Sequence, residues 1–390
     1  MKVLPPPSWL VLAVATLTAT SARSQSAHFT GLGDLPGGAT ISYAYGISGS
    51  GEVIAGESFS SLSAVHGEGV HWRRVAPDTW EMTGIGMPSS DALNTPAAGA
   101  SGDGEWIVGR TSYTSPTAPA LDTDAYRWSP DSGFERLPVP GGFVLAAALG
   151  ADKHGHTIVG YGGPNPNYTS TRALAWQRQG NYWQVETIEP AYDSQAARVD
   201  PVGKIAVGWG NSPAAGPGVR EAVFWTRGPH SWERHWLGAL PSTLFASQAA
   251  GIARVKPYHV IVGFSGDFSD VIRPTIWKVK GDALLVMGEL ALPPGAVNGS
   301  ANAIAEDGSR IVGNSWDADF VFRACVWDWD PALGTYVVSD LQNRLNAAGV
   351  TAANDWTLWS ASGVSADGAE ICGSGTNPLF EDEAWVAELP

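Results

Sequence analysis

Short apolar runs that end in glycine recur along this chain at nearly even spacing. They read Val53-Ile54-Ala55-Gly56, Ile107-Val108-Gly109, Ile158-Val159-Gly160, Ile205-Ala206-Val207-Gly208, Val260-Ile261-Val262-Gly263, Ile311-Val312-Gly313 and Ile371-Cys372-Gly373. The closing glycines are 53, 51, 48, 55, 50 and 60 residues apart. Each is followed by a tryptophan that ends a second apolar or mixed run: Trp72, Trp128, Trp176, Trp225, Trp277, Trp327 and Trp385. Such a period marks repeated units that cannot bury their apolar faces alone, so the copies must stack or close on one another.

Within one copy the pattern predicts four short strands. Ala44-Tyr45-Gly46-Ile47-Ser48 leads to a turn at Ser50-Gly51, then to Val53-Ile54-Ala55. A variable loop, a strand reaching Trp72 and a strand starting near Trp80 complete the unit. Four strands per repeat is the layout of a propeller blade. Consecutive apolar residues in the second strand imply cover on both faces. A turn glycine stands five residues before the closing glycine in six copies: Gly51, Gly104, Gly155, Gly203, Gly308 and Gly368. A tight hairpin requires a positive φ there. The fifth copy has Tyr258 after Lys256-Pro257, so its connection must differ, because proline removes a ladder donor.

The two ends of the array are complementary. Residues 28-37 resemble the tail of a repeat without its head, while the seventh copy stops after Trp385 with three strands. A strand near residues 28-35 therefore completes the last unit, which closes a ring and removes exposed sheet edges. The expected fold is all-β: a seven-bladed β-propeller of four-stranded blades, its last blade closed by an N-terminal strand, in one domain over 28-390. Small residues such as Ala44, Gly46, Ala303 and Gly363 are expected near the crowded axis, and the tryptophans between blades. Ser339 to Gly349 inserts about two helical turns carrying Leu341, Leu345 and Ala348, with Asp340 as cap and Gly349 as stop. Clusters of Gly, Pro and Asn near 113-120, 162-168 and 211-218 connect second and third strands and should emerge on one face.

Composition supports a packed, turn-rich chain. Charged residues are only 16%, with 47 Gly, 27 Pro and 18 Trp, which is not a disordered profile. Lys2, the apolar run Trp9 to Leu17 and the small residues to Ala22 predict a signal peptide over 1-22, cleaved there or a few residues later. The expected location is secreted or periplasmic, with surface association open, as a monomer without an integral membrane segment in the mature chain. A net charge of −15 argues against nucleic-acid or anionic-membrane partners. Cys325 and Cys372 are too few for a disulfide scaffold. Cys372 stands where other copies place Val or Ala, which suggests a small buried role, and a bridge between the last two repeats is the alternative.

The pattern Gly46-Ile47-Ser48, Gly51, Val53-Ile54-Ala55-Gly56, Trp72 and Thr83-Gly84-Ile85-Gly86 resembles the bacterial extracellular HAF-repeat family. That repeat has an Ala/Gly-Ile-Asn/Ser head, a Gly-x-Val-Val-Gly strand, a His-Ala-Phe-x-Trp run and a Leu-Gly tail. The resemblance spans residues 29-390. The run that names the family is degraded here to Gly69-Val70-His71-Trp72, Ala222-Val223-Phe224-Trp225 and Ala324-Cys325-Val326-Trp327. The resemblance implies an exported propeller and carries over no catalytic residue.

Chemistry-bearing motifs are sparse. His154, beside His156, suggests metal ligation, yet it falls in a repeat hairpin without metal-ligand spacing. The Asp-Gly turns lack the alternating oxygen ligands of a calcium loop. Gly-Gly pairs at 37-38, 141-142 and 162-163 lack a phosphate-loop lysine. No catalytic, cofactor or metal residue is assigned, and no cofactor is expected. The expected function is a noncatalytic exported binding or scaffold protein that recognises a protein, peptide or glycan through propeller loops. The alternative is a hydrolase or lyase of extracellular polysaccharide or peptide with a site assembled from several blades, since propellers can build sites from distant strands. Tyr161, Trp209 and Phe264 directly follow repeat glycines and are candidates for either a contact surface or the core.

Overall fold

A computed structural model describes residues 26–113, 122–165, 168, 170–212, 218–229, 231–243, 246–266 and 271–390, with the side chains of 64–66 and 122 excepted. The expected signal peptide lies outside the described residues, as do most of 113-120 and parts of 162-168 and 211-218.

Each repeat folds as an antiparallel meander. Blade 1 comprises Gly37–Ile47, Val53–Ser60, Ser63–Ala76 and Thr79–Gly84. Blade 2 comprises Ala97–Ala100, Ile107–Tyr113, Asp122–Ser129 and Gly133–Arg136, and blade 3 Leu145–Ala151, Thr157–Gly163, Arg172–Gln179 and Tyr182–Thr187. A single parallel bridge, Leu145 to Thr123, links these two blades. Blade 4 runs Ser194–Val199, Ile205–Asn211, Arg220–Arg227 and Trp232–Trp236; blade 5 runs Ser247–Ala253, His259–Ser265, Arg273–Lys280 and Ala283–Glu289. Blade 6 has Asn298–Ile304, Arg310–Trp316, Phe322–Asp330 and Thr335–Asp340. In blade 7, Thr357–Val364, Glu370–Thr376 and Asp382–Glu388 are joined by His28–Gly31, which pairs Phe29 with Ala387 and Gly31 with Trp385. The ring is closed as its two ends require.

The tryptophans are the wedges between blades. Trp277 packs with Val207 and Phe224 of blade 4, Trp225 with Val159 and Ala175 of blade 3, and Trp72 with Cys372 and Val386 of blade 7. Each repeat tryptophan thus covers the preceding blade, and the first covers the last. Six face the apolar residue two before the closing glycine, as Ile311 faces Trp327. Blade 7 departs from this: Trp385 faces Gly373, and Ala387 takes the place opposite Ile371.

The turn glycines take φ between 64° and 78°, as the hairpins demand. Their hairpins bond from blade to blade around one face: Ser50 N donates to Gly102 O, Asp103 N to Lys153 O, Lys153 N to Pro201 O and Ala366 N to Gly49 O. In blade 5, Tyr258 N closes a different turn on Val255 O. The blade 6 insertion is the helix Leu341–Ala347, capped by Asp340 Oδ1, which accepts from Asn343 N at 2.9 Å. Leu341 and Leu345 are buried, whereas Ala348 is the exposed C-cap.

Candidate functional site

The axis is shaped by a feature absent from the sequence reading. In every blade the inner strand carries one extra residue, with the register stepping at Ala44/Gly46, Ala97/Gly99, Ala148/Gly150, Ala196/Arg198, Ala249/Gly251, Ala301/Ala303 and Ala361/Gly363. These are β-bulges, which re-aim side chains and bend a strand. The alanine before each bulge is fully buried. Ala44 belongs to the core between blades and not to the axis, which corrects the expectation for that residue. The residue after the bulge lines the axis in all seven blades: Gly46, Gly99, Gly150, Arg198, Gly251, Ala303 and Gly363. Small residues are needed because neighbouring inner strands nearly touch; a Cβ on Gly363 would lie 3.2 Å from the Gly46 Cα. The sequence signal is Ala-x-Gly in the inner strand.

Arg198 is the one large residue in that ring, and it borders two cavities. On the hairpin face is a shallow vestibule of about 130 Å³, to which Asp152, Lys153 and Glu306 contribute charge. Burial raises the pKa of Glu306, an effect that Lys153 opposes. On the opposite face, where second strands lead into third strands, is a throat of about 320 Å³. It is lined by Tyr45, Glu57, Ala98, Arg110, Leu149 and Arg198, among others. The Tyr45 hydroxyl donates to Glu57 Oε1. Burial and that carboxylate raise the Tyr45 pKa well above its ordinary value. Glu57 and Arg110 directly follow repeat glycines, the position held by Tyr161, Trp209 and Phe264 in blades 3 to 5. Tyr161 and Trp209 are buried and Phe264 is half-buried. The Trp209 ring is covered by the Arg220 guanidinium at 4.1 Å.

The throat face also carries exposed aromatic residues. Phe320 is 72% exposed and Phe380 is 91% exposed. They occupy equivalent turns between second and third strands in blades 6 and 7, with φ of 60° and 64°. Such values are strained for bulky residues. An acceptor side chain holds each turn: Asp317 Oδ1 accepts from Val321 N at 3.0 Å, and Asn377 Oδ1 from Glu381 N at 3.0 Å. A separate groove of about 580 Å³ lies beside blade 6, between Pro293 to Ala296 and Asn343 and Arg344.

His154 bonds through Nδ1 to Asp103 Oδ2 at 2.9 Å, tying two neighbouring hairpins. Among the described residues no group of three or more His, Cys, Asp or Glu is placed to hold a metal ion. Cys325 and Cys372 are free and buried, and burial pushes each thiol pKa up to about 12. The Cys325 thiol bonds to Ser315 Oγ. Among the described residues no helix is long and apolar enough to cross a membrane.

No family model matches the chain, and no curated protein matches its sequence. Solved propellers do match its fold. The β-propeller domain of the Trilobed protease from Pyrococcus furiosus, described as having an open velcro topology, aligns with a TM-score of 0.50 at 6% identity, over 89% of this chain and 95% of that one. A prolyl endopeptidase, one of two studied for the role of inter-domain dynamics in catalysis and specificity, aligns at 0.51 and 10% identity over 94% of this chain. This chain spans about half of that protein, 50% of its length. At such identities the likeness shows the fold alone. The pairing of His28–Gly31 with Asp382–Glu388 sets this chain apart from an open topology.

Proposed function

We propose that the chain is an exported or surface-associated propeller of the HAF-repeat type, a monomer that binds a protein, peptide or glycan without transforming it. Recognition takes place on the throat face. The observation that carries this reading is the pair Phe320 and Phe380, two exposed rings held at the same place in adjacent blades by turns that constrain the backbone to positive φ. Exposing an aromatic ring is unfavourable in water, and rigid presentation lowers the entropy lost on contact. Leu379 and Leu62, 75% and 65% exposed, extend the apolar character along turns of the same face in blades 7 and 1.

The test is capture on peptide and glycan arrays by the mature chain and by a Phe320→Ser, Phe380→Ser double variant. The expected result is capture by the first and at least about tenfold weaker capture by the second, with an unchanged melting temperature. Turnover of a polysaccharide or peptide polymer panel, without stoichiometric capture, would replace this reading with the hydrolase or lyase alternative.

A further inference from the structure

Arg198 is anomalous in two ways. It stands where six blades place Gly or Ala, and its guanidinium, deep in the ring, has no carboxylate partner among the described residues. Its Nη1 donates to Leu149 O at 3.0 Å and to Ala197 O at 2.9 Å. Nε and Nη2 make no hydrogen bond among the described residues, and the side chain borders the throat. Burial lowers its pKa, as expected of a cation taken from water without a counter-charge. A second guanidinium, that of Arg110, lines the same throat, and its buried Nε has no hydrogen-bond partner. Among the described residues Glu57 is the one carboxylate that lines the throat, and its Oε1 accepts from the Tyr45 hydroxyl.

We propose that the throat binds a carboxylate, with Arg198 as its floor and Arg110 in its wall, and that the occupant is the C-terminal end of a peptide. This rests on the binding reading above and names the ligand class. A carboxylate is acceptor-only and matches guanidinium donors directly. Because the inner strands and Arg198 narrow the passage, a chain end fits better than the middle of a polymer. The remaining wall is apolar, with Pro96, Ala98, Ala147 and Leu149. That wall suits a small apolar side chain next to the carboxylate. A sugar acid would bring several hydroxyl groups and find few partners for them.

The test is isothermal titration calorimetry of the full mature chain with N-acetyl-alanyl-alanine, its C-terminal amide and glucuronate. The acid is expected to bind, the amide at least about tenfold more weakly, and glucuronate not at all. Arg198→Gln and Arg110→Gln should each weaken the acid at least about tenfold and leave the amide unchanged. Melting curves establish that each variant folds. If Arg198→Gln does not fold, Arg110→Gln and the charge-preserving Arg198→Lys carry the comparison. Equal affinity for acid and amide, no binding of the acid, or full binding by a folded Arg110→Gln variant would overturn the proposal. Arginine-dependent binding of glucuronate would overturn its peptide assignment. Array capture that survives in a folded Arg198→Gln variant which also binds the acid as tightly as the wild type leaves the binding reading standing while the carboxylate site falls, whereas arginine-dependent binding of the acid by a chain that captures nothing on the arrays leaves the carboxylate site standing while the loop-face reading falls.

Discussion

Gly313 faces the carbonyl oxygen of Ser300 so closely that a Cβ on it would stand 2.0 Å from that oxygen. The same contact recurs between Gly160 and Ala147, between Gly208 and Gln195, and between Gly263 and Gln248. The bulge in each inner strand drives a carbonyl toward the second strand, and only glycine leaves room for it. Gly313→Ala should therefore cost about 1–3 kcal/mol or more through forced backbone displacement. Gly288, whose nearest neighbour to an added Cβ is 3.7 Å away, is the control. Gly288→Ala should be neutral or stabilising by about 0.4–1 kcal/mol, because it restricts only the unfolded chain. Denaturant midpoints of the two variants check the contrast, and equal values would remove the steric explanation.

Six of the seven repeat tryptophans fall into two groups by their indole nitrogen. Trp72 donates to Leu32 O, Trp176 to Pro138 O and Trp327 to Ala291 O. Trp225, Trp277 and Trp385 have buried Nε1 atoms without a partner. Replacing Trp327 with Phe removes apolar contact and leaves a carbonyl unpaired, whereas Trp225→Phe removes similar contact and also a buried unpaired donor. Trp327→Phe should be the more destabilising, by about 1–3 kcal/mol. Thermal unfolding of both variants decides the point, and the reverse order would show that packing alone sets the cost.

What the sequence made legible follows from periodicity. Copies that share a strand pattern must share a fold, and the leftover strand at one end matched the gap at the other. The reason for the closing glycine was not legible, because it depends on a carbonyl 13 residues earlier, or 15 in blade 5, being displaced by a bulge. The Ala-x-Gly signal of that bulge lies in the inner strand, as in Ala97 to Gly99. Arg198 escaped notice for the same reason: an arginine after Ala196 is unremarkable until the other six blades are aligned at the bulge. Phe320 and Phe380 are ordinary loop residues in sequence, and their backbone conformation becomes visible only in three dimensions.

His71 gives the fold a pH dependence. It is buried between blades 1 and 2, its ring 5.1 Å from that of Trp128, and its Nδ1 has no partner. Burial, aided by Arg73, lowers its pKa from 6.5 to about 4. The unfolded chain therefore binds this proton at a higher pH than the native ring does. The contribution is fully present above pH 6.5 and is lost as pH falls toward 4, by at most about 3 kcal/mol. His71→Gln should flatten the stability curve in that window relative to the wild type. Parallel curves from pH 7 to 4 would show that carboxylates alone account for acid unfolding.

Ring closure rests on a buried ion pair as well as on the N-terminal strand. Arg74, on the third strand of blade 1, bonds through Nη2 to Glu370 Oε1 at 2.9 Å and approaches Glu388 at 3.5 Å, both in blade 7. The Glu370 side chain is fully buried, and Arg74 also lies against the Trp80 ring at 4.7 Å. Removing the cation leaves a desolvated carboxylate, so Arg74→Gln should cost about 3–5 kcal/mol. Arg136 offers a contrast, since it pairs with Asp124 at 2.6 Å while its own side chain is 70% exposed. Arg136→Gln should cost no more than about 1 kcal/mol, because solvent screens that pair. If the buried pair secures the closure, Arg74→Gln should also speed amide exchange in His28–Gly31 and Asp382–Glu388 before the other blades are affected, since the pairing of those strands joins the N-terminal segment to the last blade. Uniform acceleration across all blades would instead place Arg74 among ordinary contributors to global stability.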